Sequence, residues 1–221
     1  IAFQKAIDCK ADYFELDVRK TKNDSIVVIH NSSVDKTSSN GFKGEISELN
    51  YSDLRAVNVG YSRKFGDIYK NEKIPTLREA LALAKEKIKV CIEIKVNGTE
   101  KAVLKIVNDL GVKEDVIIFS FKYPVLAKIR QLDTDIPILW LINKADNMTL
   151  ENAIIIESNA IGVGPETTVT KEYLNFAHEN NIEVWKWTVN KEDEMQRLID
   201  LGLDGIITDF PDKALKKLSS K

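Results

Sequence analysis

The stretch YFELDVRKTKNDSIVVIHN, residues 13–31, reads as two extended segments joined by a short polar turn. It carries Glu15, Asp17 and His30 where a buried strand calls for apolar side chains. Alternate residues of a strand share a face, so Tyr13, Glu15 and Asp17 point one way while Phe14, Leu16 and Val18 point the other. The second segment, 25–30, follows after too few residues for the dozen or more of a parallel crossover, so it is expected to return antiparallel as a hairpin arm. A turn centred on Lys22 and Asn23 makes paired residue numbers sum to about 45 and sets His30 against Glu15, to within one or two residues.

Outward from this hairpin, short β-branched runs alternate with amphipathic stretches. Strands are expected at 13–19, 90–95, 116–121, 137–142, 160–164, 182–189 and 205–208. Helices are expected at 76–87, 100–110, 123–132, 149–158, 171–180, 191–201 and 211–218, several opened by the capping residues Thr76, Thr170, Asn190 and Asp209. Apolar strands joined by crossover helices imply a parallel sheet covered on both faces, either a barrel or a doubly wound sheet. Ile1, Phe3, Ala6 and Ile7 fall at helical spacing, and a helix there needs a strand before it. That strand makes the eighth, the number that closes a ring, so the expected fold is α/β, a (β/α)8 TIM barrel whose first strand lies upstream of Ile1. One domain spanning 1–221 is expected, with residues 31–75 as a polar insertion carrying helical character at 47–57.

The chain has 221 residues and a formal net charge of −2, with Lys and Glu interspersed, so it offers no electrostatic footprint for a nucleic acid. Apolar runs such as 136–142 fall far short of the roughly 20 residues that span a bilayer, so no transmembrane segment is expected. Cys9 and Cys91 read as two buried free thiols.

The segment VCIEIK, 90–95, repeats the device of the first strand, with Cys91, Glu93 and Lys95 on one face. Burying unpaired carboxylates is costly, so a counter-charge, a proton or a metal must accompany them. Pairing of Glu15 with Arg19 or Lys95, and of Asp17 with Lys20, is the structural alternative. Glu15, Asp17 and Glu93 converging at the C-terminal ends of neighbouring strands make an oxygen-rich set that suits one divalent cation, Ca²⁺ or Mg²⁺, where barrel active sites lie. His178, beside Glu179 and Asn180 on a polar helix, reads as a solvated surface histidine. Trp185, Trp187 and Val189 share a face opposite Lys186, so one tryptophan is expected to border the cavity. The SSN before Gly41 reads as a polar turn or a phosphate-contacting loop.

The chain resembles the glycerophosphodiester phosphodiesterase family nearly end to end. FELDVRKTKNDSIVVIHN is similar to that family's Glu-x-Asp strand, short turn and His-Asp return, and VDKTSSNGFKG resembles its Arg-Thr-Thr-x-Gly-x-Gly segment. IPTLREAL resembles its Pro-Thr-Leu-x-Glu helix, CIEIK its third carboxylate strand, and WTVN with LGLDGIITDFP its closing motif. The resemblance implies a barrel enzyme that hydrolyses small glycerophosphodiesters to glycerol 3-phosphate and an alcohol with a divalent metal. Glu15, Asp17 and Glu93 would be its ligands, and His30 one of two histidines acting as general acid and base. Lys95 would hold the phosphate and take part in catalysis, and Trp187 would line the pocket. The family's first-strand His-Arg-Gly has no counterpart in the chain, and Asn31 stands where the family has Asp. A phospholipase-type barrel acting on lipid headgroups, or a weak relative that binds a phosphodiester or glycan without turnover, are the alternatives.

Overall fold

A computed structural model describes residues 1–219. Two compact units divide the chain, one of Ile1–Ile7 with Tyr13–Val116, the other of Asp8–Asp12 with the residues from Ile117 onward.

The first unit opens with helix α1 (Ala2–Asp8), whose Phe3 stacks on Phe14. Strand β1 (Tyr13–Lys20) pairs antiparallel with β2 (Ile26–Val28) and parallel with β3 (Lys89–Ile94). The hairpin is there, but Val18 faces Val28, so paired numbers sum one higher than expected. The loop has three residues: Thr21 N–H donates to the Ser25 carbonyl, and Asp24 adopts a left-handed φ of 61°. An odd loop centres the turn on Asn23 and places His30, beyond the end of β2, level with Leu16 rather than Glu15.

From His30 the chain enters the 31–75 lobe, which holds helices α2 (Tyr51–Leu54) and α3 (Ser62–Phe65). The lobe has its own apolar floor, where Val34, Ile46, Leu54, Val57 and Ile74 pack with Val27 and Ile29. The SSN turn is tied internally, Ser38 Oγ accepting from Phe42 N–H and donating to Asn40. Helix α4 (Leu77–Ala84) starts at the expected cap: Thr76 Oγ1 accepts from Glu79 N–H, and the Glu79 carboxylate accepts from Thr76 N–H at 2.7 Å. Helix α5 (Glu100–Leu110) follows β3.

In the second unit β4 (Val116–Ser120), β5 (Ile138–Ile142), β6 (Ala160–Val163), β7 (Glu183–Lys186) and β8 (Gly205–Ile206) lie side by side in that order, all parallel. Helices α6 (Tyr123–Leu132), α7 (Asn147–Ile155), α8 (Lys171–Glu179), α9 (Glu192–Leu201) and α10 (Pro211–Leu218) alternate with them. The strands are apolar on both faces, as parallel strands covered by helices must be. Helix α7 begins two residues before the expected start, because Asp146 and Thr149 form a capping box.

Asn190 and Asp209 do not cap their helices. Asn190 instead donates to the Asp209 carboxylate at 2.7 Å and accepts from Thr208 Oγ1 and from Asp209 N–H. Neither thiol is in a disulfide, but only Cys91 is buried; Cys9 lies just past α1 and is half-exposed. No helix of the described residues is long and apolar enough to cross a membrane.

Candidate active site

Parallel pairing of β1 with β3 sets Asp17 beside Glu93 and Glu15 beside Cys91. The period of two that put these residues on one face in each strand thus becomes one cluster across the pair. Single carboxylate oxygens of Glu15, Asp17 and Glu93 all lie within 4.8 Å of one another. Two oxygens bound to one Ca²⁺ are at most about 5 Å apart, so the spacing is compatible with a shared cation.

Lys95 is the counter-charge, its Nζ 2.6 Å from Glu93 Oε1 and 3.0 Å from Asp17 Oδ1. Arg19 and Lys20 are engaged elsewhere: Arg19 Nε donates to the His30 carbonyl at 2.9 Å, and Lys20 pairs with Asp24. One ammonium against three carboxylates leaves the cluster short of positive charge, and the ionisation equilibria register it. Glu15 is open to solvent on one side, yet the protein massed around its carboxyl, followed by the charges of Asp17 and Glu93, pushes its pKa up to about 8 against the pull of Lys95. Burial also raises Glu93, whose side chain is only 8% exposed, with Lys95 opposing and Asp17 adding to the rise. For Lys95, burial works against the charged form, but the hydrogen bonds to Glu93 and Asp17 outweigh it and raise its pKa. Burial, then the nearby Glu15, drives the Cys91 thiol well up, so it is a neutral wall.

A pH dependence follows for the metal-free protein. The folded state holds on Glu15 a proton that the unfolded chain releases near the ordinary 4.5. The contribution is fully present below that value and is lost as pH rises through about 8. The melting temperature in excess chelator is therefore expected to fall across this window, and Glu15→Gln to flatten the decline. An unchanged slope in the variant would remove Glu15 as its source.

His30 is exposed, one residue past Ile29, whose N–H donates to the Asp17 carbonyl at 2.9 Å. That bond ties the histidine's segment to the acidic strand. His30 Nδ1 lies 3.2 Å from Asn31 Oδ1, so the neighbouring amide oxygen can hold the Nδ1–H tautomer as a carboxylate would, without its charge.

Trp187 belongs to the second unit. Its indole N–H donates to the Gly162 carbonyl at 3.0 Å, and its ring meets Phe121 edge-on at 5.2 Å. It is half-buried, whereas Trp185 is buried, packed against Phe119, with its indole N–H on Glu183. Phe121 was not singled out in the sequence; its place at the end of the VIIFSF run was the available signal. His178 is not merely solvated, because its Nε2 sits 2.8 Å from Asp204 Oδ2.

Comparison with known proteins gives the family. The family model of the glycerophosphoryl diester phosphodiesterase family matches residues 1–213. A glycerophosphodiester phosphodiesterase of Caldanaerobacter subterraneus is 32% identical, the alignment covering 96% of this chain and 87% of that protein. One from Bacillus altitudinis is 31% identical over 98% of this chain and 90% of its own. Among solved structures, an Oleispira antarctica phosphodiesterase in complex with the product sn-glycerol-3-phosphate superposes with a TM-score of 0.87 at 21% identity, covering 98% of this chain and 89% of that one. At that identity the likeness is one of fold, and it establishes the mixed α/β, TIM-barrel type. Whole-length agreement with the family model, together with relatives above 30% identity, means that the chain belongs to the glycerophosphoryl diester phosphodiesterase family.

Proposed function

We propose that the protein hydrolyses small glycerophosphodiesters to glycerol 3-phosphate and an alcohol, using one divalent cation held by Glu15, Asp17 and Glu93. The observation that carries this reading is the convergence of those three carboxylates on a common point with Lys95 as their only ion-pair partner among the described residues. When bound, Ca²⁺ or Mg²⁺ supplies a fixed positive charge that polarises a phosphoryl oxygen.

The chain's own residues then do the rest. Lys95, fixed by two carboxylates, presents its charge to the phosphodiester, whose negative charge builds on the non-bridging oxygens during attack; a preset cation stabilises that state most. His30, its tautomer set by Asn31, takes a proton from the attacking oxygen or gives one to the leaving alkoxide. The nucleophile is water or the substrate's own 2-hydroxyl, so no serine or cysteine is needed, and Cys91, neutral and buried, takes no part. The Asn31 oxygen performs the orienting task of a carboxylate, which favours turnover over binding alone.

The test is release of glycerol 3-phosphate from glycerophosphocholine by the purified protein. Turnover is expected to vanish in chelator, to return with Ca²⁺ or Mg²⁺, and to fall about 10²–10⁴-fold in His30→Ala. Metal binding without turnover would favour the binding-only alternative.

A further inference from the structure

The 31–75 lobe carries a feature that the site does not use. Residues Tyr61, Phe65 and Tyr69 stack edge-on in sequence, with ring centroids 6.1 and 5.2 Å apart, outside the lobe's buried floor. Beside them Ile68 is 76% exposed and Tyr61 57% exposed, the former being the most exposed large apolar side chain among the described residues.

This knob is built to stand out. Its base is clamped where Val59 N–H donates to the Glu72 carbonyl and where Gly60 lies so close under Tyr69 that a Cβ would fall 1.9 Å from the Tyr69 carbonyl oxygen. Only glycine fits there. Aromatic contacts that rigidify a projection while leaving an isoleucine in water cost free energy unless something covers it.

The charge around the knob says what that is. Residues 61–73 hold four cations, Arg63, Lys64, Lys70 and Lys73, against Asp67 and Glu72, in a chain whose formal net charge is −2. Arg63, Lys64 and Lys70 are exposed and make no ion pair among the described residues, and Lys64 rides over the Phe65 ring at 5.1 Å. Tyrosines with a polar tip, one projecting aliphatic side chain and a collar of unneutralised cations match the headgroup boundary of an anionic membrane.

We propose that the 61–70 knob docks the protein on an anionic lipid surface. The chain passes into this lobe directly from His30, so docking would bring the site to diesters that lie at or leave the bilayer. The proposal rests on the phosphodiesterase reading for that purpose alone.

The experiment is co-sedimentation, without substrate, with vesicles of phosphatidylcholine alone or containing about one third phosphatidylglycerol. The wild-type protein is expected to partition at least about tenfold more strongly onto the anionic vesicles, and high salt to reverse it. Ile68→Asp, and separately Arg63→Glu with Lys64→Glu, are each expected to reduce partitioning about tenfold. Glycerophosphocholine turnover in solution should stay unchanged in both, which also reports that they fold. Equal partitioning on the two vesicle types, or variants that partition like the wild type, would overturn the proposal. So would a wild-type dimer in sedimentation velocity that Ile68→Asp dissociates, because the knob would then be an interface between copies. A wild-type protein that binds vesicles yet hydrolyses nothing would sink the enzymatic reading and leave this one standing.

Discussion

Glu93→Gln is expected to lower kcat/KM for glycerophosphocholine by about 10³-fold at saturating divalent cation, a loss at the upper end of what removal of one charge-stabilising group produces. Glutamine keeps the shape of a buried side chain, so the loss is not one of packing. On the proposed reading it removes a charge from the cation's oxygen set and weakens the ion pairing that holds Lys95, so the ammonium gains freedom just where it must be fixed. The metal-free variant should melt no lower than the wild type, because a buried carboxylate crowded by Asp17 is replaced by a neutral amide. A residue that served only to hold the strands together would behave in the opposite way, losing stability first. Undiminished turnover in Glu93→Gln, measured as choline release, would remove the acidic cluster from the mechanism.

Gly205→Ala is expected to destabilise the protein by about 3 kcal/mol, at the upper end of the range for overpacking, with a fall in melting temperature of roughly 6–12 °C. Pairing of β7 with β8 sets Gly205 directly against Trp185. A Cβ there would lie 2.3 Å from the indole ring, deeper than any rotamer change of a buried tryptophan can relieve. Trp185→Phe in the same chain should recover part of the loss by opening that space. Gly205→Ala with a wild-type melting temperature would mean that the ring does not rest on the glycine.

Local periodicity carried most of the elements. Helices at 100–110, 123–132 and 211–218 begin and end where the apolar spacing puts them, and the parallel strands follow from β-branched runs between them. The acidic cluster was legible for the same reason, since a period of two in each strand needs only parallel neighbours to bring Asp17 and Glu93 together.

What failed to read out depended on partners remote in sequence or on turn geometry. The hairpin register read out only to within a residue, because Asp24 takes a left-handed conformation that a three-residue loop requires and a polar stretch does not announce. Asn190 and Asp209 look like helix caps one at a time; each is drawn away by the other, 19 residues off. Asp204 captures His178 across 26 residues, beyond any local rule.

The Asn190 bonds have a consequence for how the two loops can vary. A single amide spends its donor on one loop's carboxylate and its oxygen on the same loop's hydroxyl and backbone, so one side chain ties the loop after β7 to the loop after β8. A foreign loop placed after β7 keeps these bonds only if it brings an amide at the position of Asn190 to meet Thr208 and Asp209.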